Sequence, residues 1–173
     1  EDTGAGLHFW QLVNQLFFEG KLIVESKESN QGILDAIYQL QPDTGDIYYI
    51  VFDYVVDNQD IRNKYRILRS FADRSAGHVI ILDMICFEYL ILAFDQLISW
   101  TGTGKKDKIA MREEILAAVE NHRINLAEIK DEKTLQYLAG FKRFSTERVM
   151  KSLAGELTEN EKWSIRGTLL GES

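Results

Sequence analysis

The acidic residues of this chain fall where strands should end. A β-branched and aromatic run, Ile47–Phe52, leads directly into Asp53, and Asp57 follows four residues later. Glu25 and Asp83 close two further apolar runs, Glu88 opens the next, and Glu1 and Asp2 stand at the very start. In open α/β sheets, reacting groups collect outside the carboxyl ends of the strands. Carboxylates crowded at one edge repel one another unless a cation or a proton intervenes. Mg²⁺ suits such a group, because it takes hard oxygen ligands, keeps some waters and binds phosphate oxygens. Mn²⁺ favours the same ligands. Either ion can stabilise a transferring phosphoryl group or activate water. The plain alternative is that each Asp caps a helix or closes a turn.

Cationic residues follow the acidic loop. Arg62, Arg66 and Arg69 stand at i, i+4 and i+7, one stripe of a helix that could meet phosphate groups. Asp60 and Asp73 could equally balance that stripe as an ordinary solvated face. Lys105, Lys106 and Lys108 could steer a polyanion or simply solubilise a linker. Other chemistries find no foothold. The three histidines, His8, His78 and His122, share no metal-ligand spacing. Neither a P-loop nor a dinucleotide-binding glycine pattern occurs, and no serine elbow is present. The polar turn Ser26–Asn30 before a helix is a weak anion cradle.

The elements that must position these groups can be read from periodicity. Leu7–Glu19 repeats Phe9, Leu12, Val13 and Leu16 at helical spacing, which predicts a helix, and Gly20 follows as a stop. Lys21–Glu25 reads as a short strand, Gln31–Gln41 as a helix, and Pro42–Asp46 as a break. Ile47–Asp53 has the composition of a strand buried on both faces. Asp57 or Asn58 should cap a helix running to Asp73, and His78–Leu82 should be the next strand. Ile85–Trp100 predicts one very apolar helix, and Thr101–Lys106 a flexible basic joint. This alternation implies an α/β fold, a parallel sheet with helices on both faces. A first strand upstream of Glu1 would complete it. Beyond Lys106 the segments Lys108–Asn121, Leu126–Gly140, Ser145–Glu156 and Asn160–Gly167 read as helices without strands. The expected organisation is an α/β domain over residues 1–104 and a helical appendage over residues 105–173.

Bulk properties narrow the function. A length of 173 residues suits one domain with an appendage, and 45% hydrophobic with 27% charged residues is ordinary for a folded chain. The net charge of −7 argues against tight, non-specific coating of DNA, although a basic strip can still meet nucleic acid. Cys86 is alone, so no intrachain disulfide can form. Without a cysteine framework or a leader pattern, a cytoplasmic location is the expectation. Cys86 itself opens an apolar helix and reads as a core thiol. The most apolar run, Met84–Ile98, is too short to span a membrane and contains Glu88 and Asp95.

Three short segments together resemble a known family, the TOPRIM fold of topoisomerases and primases. Glu1-Asp2-Thr3 followed by Leu7-His8-Phe9-Trp10 looks like the motif in which a strand-ending Glu leads into a helix. Ile50-Val51-Phe52-Asp53 looks like the strand into the family's Asp-x-Asp motif. Cys86-Phe87-Glu88-Tyr89-Leu90-Ile91-Leu92 is similar to a Cys-Phe-Glu segment of the RloB-like nucleases. The resemblance, nearest to the RloB-like and overcoming-lysogenization-defect groups of bacterial defence, covers about residues 1–100. It implies a Mg²⁺-dependent nuclease in which Glu1, Asp53 and Asp57 bind metal. Glu1, Asp53 and Glu88 would carry the catalysis, with Arg62 and Arg66 on phosphate. The chain departs from the motif at Val55, where the second Asp belongs; Asp57 is the nearest substitute. Two other functions compete. A non-catalytic interaction module would keep the fold without the metal and dock a partner protein through its helical region. A receiver-like phospho-acceptor would use Asp53, but needs a Lys after a fifth strand. The sequence leaves the oligomeric state open.

Overall fold

A computed structural model of the chain describes residues 4–40 and 45–158. Glu1, Asp2 and the predicted helix Asn160–Gly167 lie outside them. The fold is mixed α/β and mostly helical, and it divides into two compact units. Unit 1 contains the described residues up to Asp53 together with Asp60–Asp83. Unit 2 contains Tyr54–Gln59 and the described residues from Met84 onward.

In unit 1, helix α1 (Ala5–Phe18) ends with Glu19 in the left-handed conformation, while the Gly20 N–H donates to the Asn14 carbonyl. Glu19 itself makes the left-handed turn, and Gly20 follows it at positive φ. The strand expected at Lys21–Glu25 does not form. Instead the Asn14 side chain takes the place of a strand partner: its Nδ2 donates to the Leu22 carbonyl at 2.8 Å, and its Oδ1 accepts the Leu22 N–H at 3.0 Å. A β-prone segment with its backbone clipped by a side chain has no ladder to extend.

Helix α2 (Asn30–Ile37) is capped by Ser29, whose hydroxyl accepts the Gly32 N–H at 3.0 Å. Gly32 is required by close approach, since a Cβ there would lie 1.9 Å from the Lys27 carbonyl oxygen. Strands β1 (Tyr48–Asp53) and β2 (Val79–Met84) form a small parallel sheet. Its register is visible in Tyr48 N–H to His78 O and Tyr54 N–H to Met84 O, six residues further along both strands. Between them runs α3 (Gln59–Arg74), a right-sized crossover for parallel strands. Ile33, Leu34, Ile37, Phe52, Leu68, Ala72 and Val79 are the buried apolar residues here.

Unit 2 is built around α8 (Thr146–Thr158), which packs against α4 (Phe87–Ala93), α5 (Asp95–Thr101) and α6 (Lys106–Ala117). Val149, Met150, Leu153, Ala154 and Leu157 form its buried stripe. The single helix expected over Ile85–Trp100 is broken at Phe94, whose ψ of 87° is not helical. The expected flexible joint is a tight turn, with Lys105 N–H bonded to Gly102 O before α6 begins. No strand was expected beyond Lys106, yet β3 (Val119–Glu120) and β4 (Arg123–Ile124) form an antiparallel hairpin. Asn121 and His122 both have positive φ, 49° and 59°, which is the turn geometry that two-residue hairpins require. Helical periodicity ran on to Asn121 because it cannot register a two-residue turn. Asn121→Gly should hold or raise stability, whereas Asn121→Val should cost about 1 kcal/mol through its left-handed backbone. The urea midpoint reads both. A 3-10 turn (Leu126–Glu128) and α7 (Glu132–Ala139) replace the expected helix Leu126–Gly140. The interruption has a cause: the Glu114 carboxylate accepts the Lys130 and Asp131 N–H groups at 2.6 and 2.7 Å, and Asp131 then caps α7 through Thr134.

Candidate functional site

Asp53 ends β1 as the sequence indicated, and its burial is the notable feature: the residue is only 7% exposed. Its backbone carbonyl accepts Nδ2 of Asn30, the first residue of α2, at 2.9 Å, so a side chain from the helix stitches the strand end in place. Phe52, fully buried, sets its ring 5.9 Å from that of Tyr65 on α3, tilted by 49°. Asp83, near the end of β2, accepts the Tyr65 hydroxyl at 3.2 Å. The Arg stripe lies along α3. Arg66 reaches Asn63 at 3.5 Å, Arg69 pairs with Asp73 at 3.1 Å, and Lys64 pairs with Asp60 at 2.7 Å. Arg62 is half-buried on the same helix. Glu25 pairs with Lys27 at 2.6 Å, and that hydrogen bond and charge hold its carboxyl below the usual value.

Asp57 has a different setting, in unit 2. It was expected to cap α3 or to bind metal. Its Oδ2 instead accepts the Thr146 N–H at 2.7 Å, at the opening of α8. Thr146 is fully buried, and its Oγ1 in turn accepts the Ile124 N–H of β4 at 3.0 Å. Tyr54, from the same loop as Asp57, sets its ring 5.1 Å from His122 in the hairpin turn. The loop after β1 is thus tied to the hairpin and to α8 by specific polar and ring contacts. Val55 is buried within it.

Glu88 sits in the first turn of α4, half-buried. Burial works against the Lys151 charge. The Glu147 carboxylate, bonded at 2.7 Å, more than offsets this, with Glu88 and Cys86 adding to it, and the Lys151 pKa lies above its ordinary value. Cys86 is fully buried, as expected of a core thiol.

The lysines at the joint are also engaged. Lys105 Nζ donates to the Glu156 carbonyl. Lys108 Nζ pairs with Glu156 Oε2 at 2.5 Å and lies 4.1 Å from the centre of the Tyr137 ring. Tyr137 donates to Glu156 Oε1 at 2.9 Å; burial, with the carboxylate beside it, pushes its phenol up to about 12. Burial alone would raise the Glu156 carboxyl, but the Lys108 and Tyr137 hydrogen bonds outweigh it and hold it below the ordinary range. This Lys–Tyr–Glu knot went unseen in the sequence, because its members lie on α6, α7 and α8, up to 48 positions apart.

The arrangement can be weighed against the ion that the family resemblance implies. Among the described residues, no three His, Cys, Asp or Glu side chains come together closely enough to hold a metal. Val55, where the resemblance would place a second carboxylate, is buried, and the Asp57 carboxylate accepts the Thr146 N–H at the start of α8. Glu1, the first ligand that the resemblance implies, lies outside the described residues. No described helix is long and apolar enough to cross a membrane. In comparison with known proteins, the chain matches no family model, no curated protein and no solved structure.

Proposed function

We propose that this chain is a non-catalytic interaction module on a TOPRIM- or Rossmann-like α/β frame, and that its helical unit docks a partner protein. The observation that carries the reading is the bond from Asp57 to Thr146, which uses in the architecture of unit 2 the carboxylate that metal chemistry would need. Val55 supports it by filling the other motif position with a core side chain. Phe94 and Trp100, large apolar side chains exposed on α4–α5, are suitable anchors for a protein partner, since aromatic residues dominate interface energetics. A cytoplasmic setting suits such a module with a single buried thiol.

A second reading, Mg²⁺- or Mn²⁺-dependent phosphodiester chemistry on nucleic acid, is favoured by one observation, the buried Asp53 at the strand end. It assigns metal to Glu1, Asp53 and Asp57, catalysis to Glu88, and phosphate contacts to Arg62 and Arg66. Isothermal titration separates the two. The interaction module should give no binding heat with MgCl₂ or MnCl₂ up to about 10 mM, beyond the range of weak oxygen-ligand sites. Saturable binding that Asp53→Ala abolishes would overturn the first reading and establish the second.

A further inference from the structure

Strand β1 has an open edge. The sheet order is β1-β2, so among the described residues no strand pairs with the side of β1 that faces away from β2. The N–H groups of Tyr48 and, just past the strand, Tyr54 point to β2, at His78 O and Met84 O. Backbone groups alternate between the two sides of a strand. Those of Tyr49, Val51 and Asp53 therefore point to the open edge, where the Asp53 carbonyl meets the Asn30 side chain. Such an edge is a template for another strand, and folded proteins cover or blunt it.

The same unit supplies a segment suited to that edge. Lys21–Glu25 carries the β-branched pair Ile23 and Val24, residue types that favour strands. Between Glu25 and Tyr48 lie 22 residues, α2 among them. A parallel crossover needs a dozen or more residues, usually with a helix. The Asn30 bond to the Asp53 carbonyl sets the start of α2 at the carboxyl end of β1, on the open edge. A parallel strand leading into α2 must finish at that end. The Asn14 clip takes both backbone groups of Leu22. In an extended segment, Ile23 and Glu25 then turn theirs to the opposite side. Ile23 is 90% exposed, so its side chain is not anchored elsewhere.

We infer that Lys21–Glu25 is a strap, open in this structure, that closes on the outer edge of β1 as a third parallel strand. Val24 then lies opposite Val51. The Val51 N–H donates to the Ile23 carbonyl, the Glu25 N–H donates to the Val51 carbonyl, and the Ile23 N–H donates to the Tyr49 carbonyl. The Asn14 clip lies on the far side of the strap and holds it extended in both states. Closing hides an edge that would otherwise template pairing with other chains. The device lies within unit 1 and is independent of the partner docking proposed for unit 2.

Amide hydrogen exchange of the full 173-residue chain, read residue by residue by NMR, tests this. A strap closed about nine-tenths of the time slows the Val51 amide about tenfold relative to an unstructured chain. Ile23→Pro removes the donor to Tyr49 and bars the strap from the ladder. The Val51 amide should then return to within about twofold of the unstructured rate. The Phe52 amide, which faces β2, should keep its protection. Ile23→Ala retains the N–H and should keep most of the Val51 protection. If circular dichroism shows that Ile23→Pro fails to fold, Glu25→Pro replaces it with the same expectation. A wild-type Val51 amide that exchanges at the unstructured rate overturns the inference. So does protection that survives the folded proline variant, or protection that rises with protein concentration, which would assign the edge to a second copy.

Discussion

Arg112→Ala is expected to destabilise unit 2 by about 3 kcal/mol, the range for breaking a buried charged hydrogen-bond pair. Arg112 lies on α6 and is 5% exposed. Its Nε donates to the Leu92 carbonyl at 2.6 Å, and its guanidinium also pairs with Asp95. The reason lies in the break at Phe94. Where the helical ladder is interrupted, carbonyls in the preceding turn lose their partners four residues on. Arg112 reaches from another helix to meet one of them. Truncation would strand the Leu92 oxygen in a dry core and leave a hole where the arginine stem packed. Asp95 provides the contrast, for its side chain is 83% exposed. Asp95→Ala should cost no more than about 1 kcal/mol, as for exposed ion pairs. Urea denaturation of both variants checks this: equal losses would show that the ion pair, and not the carbonyl bond, matters.

The second large effect is at Asp57. Asp57→Ala should cost about 2 kcal/mol, because the Thr146 N–H is then left buried without its acceptor. Asp57→Asn keeps an oxygen in place and gives up only the charge beside the α8 N-terminus, a loss of about 0.5 kcal/mol. This ordering also separates architecture from chemistry. A carboxylate needed for metal would be nearly as damaged by Asn as by Ala, and the damage would appear in ion binding with little change in stability. Denaturation midpoints in which the alanine variant falls and the asparagine variant holds would place Asp57 in the frame of unit 2.

Where a local pattern was strong, the sequence was a good guide to the backbone. Residues 47–53 announced a strand through β-branched and aromatic composition, and β1 occupies Tyr48–Asp53, but the expected burial on both faces does not follow: Ile47 and Tyr49 are exposed, and only Phe52 and Asp53 are buried, because the sheet has just two strands. Ser145–Glu156 read as a helix, and α8 occupies Thr146–Thr158, with Val149, Met150, Leu153 and Leu157 on its buried face. The same logic failed at Lys21–Glu25, where strand-forming residues met a side-chain amide in place of a neighbouring strand. It also failed at Ile85–Trp100, where apolar content continues through Phe94 although the backbone does not. Apolar content reports what a segment can bury; it carries no record of a break held open by an arginine 18 residues downstream of Phe94.

The candidate site divides along the same line. By itself the sequence determined that Asp53 closes a strand and that Cys86 is a core thiol. Each of these follows from residue type and immediate neighbours. Only the tertiary structure decided that Asp57 serves Thr146, 89 residues away, and that Glu156 gathers Lys108 and Tyr137. A carboxylate accepts a backbone N–H, a cation or a lysine with similar readiness, and which of these it meets depends on what the fold brings within about 3 Å of it. That pairing across long stretches of chain is a property of packing, and no local pattern encodes it.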